Sequence, residues 1–124
     1  MNNKYKIVLN YIKDLSVEIP SPEALITSRN SIGKYEMKVN ISSKPLKLKM
    51  VEVITKLTYK DPTKNNFKAF FEIEYATVID ILDSQLKKND LEKIILCDLQ
   101  IQIYPELEKK FLSILRNSGF PSLE

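Results

Sequence analysis

The chain has 124 residues, 44% hydrophobic and 28% charged, which is the size of one domain with a modest core and too apolar for a disordered segment. It has no histidine and one cysteine, Cys97, so the usual general base, an internal disulfide and a structural zinc site are all excluded, and no cofactor is implied. No apolar run approaches the ~20 residues that cross a bilayer, the two glycines cannot build a phosphate loop, and a net charge of +3 from scattered lysines and arginines gives no grounds for a nucleic-acid partner.

Asn2 to Ile19 reads as a first strand. Leu9, Tyr11, Leu15, Val17 and Ile19 share one parity, broken only by Lys13, while Asn10, Asp14, Ser16 and Glu18 share the other. Such alternation describes a half-buried strand with one wet face, here carrying two carboxylates. Pro20 stops the strand because it cannot donate to a ladder, and Pro22 stiffens the exit. Pro20 to Ser31 reads as a polar crossover with a small apolar patch, Ala24-Leu25-Ile26. The N-terminus runs straight into the strand and does not resemble a signal peptide, so the cytoplasm is the expected address.

Gly33 opens a second strand, in which Tyr35, Met37, Val39 and Ile41 alternate with Lys34, Glu36, Lys38 and Asn40. Ser42 to Pro45 reads as a turn. A third strand runs from Leu46 to Tyr59, with a phase change at Met50-Val51 that predicts a bulge. Asp61 to Asn66 is a hairpin loop by composition, and Phe67 to Ile81 alternates as a fourth strand.

The period then changes. Asn89 is placed to cap a helix from Asp90, which is expected to end near Gln100 because Ile101 to Tyr104 alternates like a strand. Pro105 suits the first turn of a second helix, with Leu107, Phe111, Ile114 and Leu115 at helical spacing, Gly119 as its C-cap and Pro121 as its stop. The first helix is apolar on more than one face, so Ile94, Ile95 and Leu99 are read as an oligomer interface. The expected fold is a single α+β domain over residues 1–124: a four-stranded antiparallel sheet, a meander with a long crossover after strand one, and two C-terminal helices on one face.

Little here points to chemistry. Cys97 sits among Ile94, Ile95 and Leu96 and reads as an inert buried thiol. Asp80 and Asp83 flank a strand end without other polar partners. No enzyme is indicated. Asp14 and Glu18 share a strand face, and the meander can bring Glu72 alongside; the plain alternative is that these carboxylates only solvate the face.

The segment Tyr11, Lys13, Asp14, Leu15, Ser16, Glu18, Pro20 resembles the first-strand signature of SecB, the bacterial protein-export chaperone family. Ala69-Phe70-Phe71-Glu72-Ile73 resembles that family's fourth-strand segment, Tyr104-Pro105 its Phe-Pro, and Gly119-Phe120-Pro121-Ser122-Leu123 its Gly-x-Phe-Pro-x-Leu end. The matches are collinear over nearly the whole chain. There are departures: Ala76-Thr77 stands where the family has Gly-Gly, the crossover lacks a tryptophan, the net charge is basic, and the acidic Gln-rich tail is not seen.

The resemblance implies an ATP-independent holdase that binds unfolded polypeptide clients and hands export precursors to SecA. It implies a SecA-binding face at Asp14, Glu18, Phe70 and Glu72, and a homotetramer, a dimer of dimers, with a dimer as fallback. A holdase needs adaptable apolar surface, for which Leu25, Ile26, Tyr104, Phe111 and Leu112 are the candidate groove, with ordinary core packing as the plain alternative. Two other readings are compatible: a SecB-like chaperone dedicated to one client such as an antitoxin, and a SecB-fold adaptor without holdase activity.

Overall fold

The computed structural model describes residues 4–63 and 68–120. Its elements in order are β1 (Tyr5–Glu18), α1 (Pro22–Asn30), a short 3₁₀ turn (Ile32–Lys34), β2 (Glu36–Pro45), β3 (Met50–Lys60), β4 (Phe70–Ile81), α2 (Lys88–Lys93), a π-helical stretch (Ile94–Asp98) and α3 (Leu99–Asn117). The strands form one antiparallel sheet in the order β1-β4-β3-β2. β2, β3 and β4 are the expected meander, and the crossover after β1 carries the chain to the opposite edge. The expected loop residues Lys64, Asn65 and Asn66, the strand start Phe67, the strand start Asn2 and the stop Pro121 lie outside the described residues.

One face of the sheet is covered by helix. Leu99, Ile103, Leu107, Phe111 and Leu115 recur every four residues on α3 and are buried against Val53, Leu57, Phe71, Ile73 and Ile79 of the sheet. Side chains four apart share one helix face, so this spacing makes the seam. Full burial of each such side chain is worth about 1.5–3 kcal/mol. The helix closes with Gly119 at φ 95°, as its spacing predicts. The Gly119 N–H donates to the Arg116 carbonyl and the Phe120 N–H to the Leu115 carbonyl, a Schellman closure. Phe120 thereby folds back edge-on to Phe71, ring centroids 5.2 Å apart.

The two expected helices are one. α2, the π stretch and α3 run without a break over residues 88–117. The apparent strand period at Ile101 to Tyr104 arises because Ile103 faces the sheet while Ile101 points outward, 74% exposed. Pro105 lies inside α3 and simply lacks the N–H that would bond the preceding turn. The helix also starts earlier than expected: Lys87 is the N-cap, and Asp90 accepts from its N–H at 3.3 Å.

The crossover holds a helix as well. Ser21 caps α1 by accepting from the Ala24 N–H at 3.0 Å, with Pro22 in the first turn. The buried Ser28 hydroxyl donates to the Ala24 carbonyl at 2.7 Å and accepts from the Ala69 N–H at 2.8 Å, which fastens α1 to the start of β4. The Tyr35 hydroxyl donates to the Ala69 carbonyl beside it.

The expected bulge in β3 is absent. β3 starts at Met50, and the preceding residues turn through Leu48, a left-handed residue at φ 64°. Consequently Ser42 to Pro45 belong to β2 and not to the turn. The register breaks occur in β1, between Ile7 and Leu9 and between Ile12 and Asp14. Each inserts one residue, Val8 and then Lys13, and flips the phase of the residues beyond it.

Candidate functional site

The two bulges decide which β1 side chains share a face. Counted from the pairing with β4, Tyr5, Ile7, Asn10, Ile12, Leu15 and Val17 lie on the helix-covered face. Leu9, Tyr11, Asp14, Ser16 and Glu18 lie on the outer face. The outer face continues through Phe70, Glu72 and Glu74 of β4.

The register sets Glu18 opposite Phe70, Ser16 opposite Glu72 and Asp14 opposite Glu74. Asp14, Glu18, Phe70 and Glu72 are therefore neighbours on one surface, with Glu74 added to them. Glu72 is the most engaged of the group. Thr58 donates to it at 3.3 Å, and Lys56 lies 3.4 Å from its other oxygen.

A buried carboxylate braces this face. Glu52 of β3 is only 5% exposed and accepts from the Tyr11 hydroxyl at 2.6 Å and from Lys13 at 3.0 Å, with Lys44 at 3.7 Å. These hydrogen bonds hold its carboxyl below the usual range and push the Tyr11 hydroxyl up. Glu52 thus joins β1 to β3 across β4. The signal in the sequence was a single acid among Val51, Val53 and Ile54. A second anchor lies at the end of β3, where Asp61 accepts from Lys68 and from the Thr63 N–H at 2.9 Å, which hold its carboxyl at about 2.

On the covered face, the five expected groove residues separate. Tyr104, Phe111 and Leu112 line one groove of about 290 Å³ with Met37, Leu57, Tyr59 and Glu108. Phe111 is also core, and its ring meets Tyr59 edge-on at 5.3 Å. Leu25 and Ile26 do not line it. Leu25 packs beside Gly119, and Ile26 stands 59% exposed on α1.

Ile94, Ile95 and Leu99, expected at an oligomer interface, are already covered within the single chain. All three are buried in the chain's own core, because the helix turns them onto the sheet. The exposed apolar positions on this helix are Leu96 and Ile101, which point away, and Tyr104, at the open groove. Cys97 is exposed, not buried, since the π stretch carries it outward with Leu96. β1 leaves more apolar surface uncovered: Ile12, Leu15 and Val17 on the helix side, Leu9 and Tyr11 on the outer side. Among the described residues no helix is long and apolar enough to cross a membrane, and no group of acids and thiols is arranged to hold a metal ion.

A scan against protein-family models matches the family described as preprotein translocase subunit SecB over residues 1–124. The chain belongs to the SecB family. It is 40% identical over 124 residues to the putative protein-export protein SecB of Pelagibacter ubique (strain HTCC1062), covering 100% of this chain and 89% of that protein. It is 23% identical over 118 residues to the protein-export protein SecB of Parvibaculum lavamentivorans, covering 95% of this chain and 69% of that one. Among solved structures it is similar to the Mycobacterium tuberculosis Rv1957 SecB-like chaperone in complex with a ChAD peptide from the Rv1956 HigA1 antitoxin. That match has a TM-score of 0.70 at 12% identity, over 97% of this chain and 84% of that one, and shows a shared SecB fold. SecB membership supports a chaperone role in protein export rather than an enzymatic one.

Proposed function

We propose that this SecB-family chain is an ATP-independent holdase. The observation that carries the reading is the groove at Tyr104, Phe111 and Leu112, where the fold leaves aromatic and aliphatic side chains at an open surface rimmed by Glu108. Unfolded chains offer apolar segments of no fixed sequence, and such a surface binds them by burial alone. Export precursors are the client class favoured by the relatives named as protein-export proteins. The solved SecB-like chaperone bound to a peptide from an antitoxin favours a second reading, a chaperone dedicated to one client.

The test is suppression of aggregation when a chemically unfolded client is diluted into buffer without nucleotide. Near-stoichiometric protein should hold the client soluble, and Tyr104→Ser with Leu112→Ser should remove most of that effect while leaving the fold intact. No suppression of any unfolded client at several-fold excess would refute the holdase. Suppression confined to a single cognate client would favour the dedicated chaperone. The same proposal assigns Asp14, Glu18, Phe70 and Glu72 to a cationic partner such as SecA, on their shared face.

A further inference from the structure

The second bulge in β1 decides what the outer face shows beyond it. Lys13 is the extra residue, and Asp14, Ser16 and Glu18 follow it onto the outer face, opposite Glu74, Glu72 and Phe70. Without the bulge, pairing continued from Tyr11 and Ala76 would set Leu15 opposite Glu72 and Val17 opposite Phe70. That shift of one residue turns every side chain beyond Lys13 to the other face. Burial does not choose between the two phases, because Leu15 is 45% and Val17 39% exposed where they stand. A register with no buried face to hold it is weakly specified, so something else must fix this one.

We propose that Glu52 is a positioning residue: it fixes the phase of β1 and so presents Asp14 and Glu18 on the outer face, which rests on the assignment of those carboxylates to a cationic partner. Glu52 holds the strand at two points. The Tyr11 hydroxyl, before the bulge, donates to one carboxylate oxygen at 2.6 Å, and the Lys13 ammonium, in the bulge, donates to the other at 3.0 Å. Glu52 is paired with Val78 of β4, and Val78 with Leu9, so both bonds reach back across β4 toward the start of β1. Ala76, opposite Tyr11, is small and 0% exposed, which leaves room for the phenol to pass over β4. A straightened strand would set Lys13 itself opposite Glu74, a second carboxylate that competes for the same ammonium. Glu52 holds the advantage because it is 5% exposed, where water and salt screen a charge-assisted bond least, and because the Tyr11 bond is made with it.

Paired cysteines report the phase directly, in a Cys97→Ser background, because opposed residues on neighbouring strands lie within disulfide reach. Ser16→Cys with Glu72→Cys should cross-link on mild oxidation, and Leu15→Cys with Glu72→Cys should not. Adding Glu52→Val, which fills the site without an acceptor, should lower the first yield and raise the second. Glu52→Gln, which keeps an acceptor without the charge, should shift both part-way, and thermal unfolding checks that each variant is folded. Binding is followed by anisotropy at low salt with a fluorescein-labelled peptide of alternating lysine and threonine. Lys13→Met removes a positive charge from this face, so charge alone would tighten the peptide. Loss of the phase should instead weaken it about fivefold, as two exposed carboxylate contacts turn away. The proposal is overturned if both Glu52 variants leave the cross-links unchanged, or if Lys13→Met binds the peptide as tightly as the wild type or more so. Cross-links that follow Glu52 in a protein whose wild type ignores the peptide would uphold the phase and refute only the cationic partner.

Discussion

The Thr55 hydroxyl donates to the side-chain oxygen of Gln100 at 3.2 Å, and the amide of the same glutamine donates to the Ile95 carbonyl at 3.1 Å. One residue therefore ties the centre of β3 to the start of the π stretch and satisfies a carbonyl there. Thr55 is 1% exposed, so its hydroxyl has no access to water if Gln100 is lost. Gln100→Leu should destabilise the protein by about 1–3 kcal/mol, the cost of leaving a buried polar group unpaired. Adding Thr55→Val should recover part of that loss, because both polar partners are then gone. Chemical denaturation of the two variants and the wild type checks both expectations.

The acidic stripe gives a second expectation. Asp14→Lys with Glu18→Lys should abolish association with SecA or another cationic partner and leave aggregation suppression intact, since both residues lie on the face away from the groove. Association should also fall as salt rises past the point where exposed charges are screened over ~8 Å. Surface-immobilised partner titrated with each variant measures this, and wild-type binding that ignores salt would contradict it.

Oligomerisation separates two sets of residues on the long helix. Ile101 is 74% exposed, so Ile101→Arg should cost the protomer little and shift the population to smaller species on dilution, if the tetramer or dimer that the SecB resemblance implies uses the outward side of α3. Ile95 is 6% exposed within the protomer, so Ile95→Ala should instead cost about 2–5 kcal/mol of folding stability. Light scattering across a dilution series, beside thermal unfolding, distinguishes the two outcomes.

Acid should weaken the fold through Asp61 and Glu52. Both carboxyls titrate lower in the folded chain than their ordinary values, Asp61 at about 2 against 3.8, chiefly through its bond from Lys68, and Glu52 through bonds from Tyr11 and Lys13. A depressed folded pKa adds stability that is complete above the unfolded value and is lost as pH falls through the folded one. For Asp61 that window runs from 3.8 down to about 2. Denaturation midpoints should drop across it, and Asp61→Asn should flatten the drop.

Much of this architecture is visible in residue order. Tyr35 to Ile41 and Phe71 to Ile81 alternate because their strands keep an unbroken register, and Gly119 marks a helix end because only a residue free of Cβ strain suits φ 95°. β1 is harder to read because Val8 and Lys13 are extra residues; alternation counted through them assigns Leu9 and Tyr11 to the covered face. The single long helix is hidden by Pro105 and by an isoleucine pair whose members face opposite ways. α1 is hidden because its buried positions are a small residue and a serine, Ala24 and Ser28, so no apolar stripe advertises it. The acidic stripe is legible since Asp14 and Glu18 lie beyond both bulges and keep a common phase.

The order β1-β4-β3-β2 also has a temporal side. Tyr5 pairs with Ile81 and Glu18 with Phe70, so the first strand to leave the ribosome has its in-sheet partner among the last to be made. β2, β3 and β4 can zip as neighbouring hairpins, whereas β1 must wait until β4 is complete, with Leu9, Tyr11, Ile12 and Leu15 open to water. While it is being made, this chain offers the same kind of extended apolar segment that a holdase is built to catch.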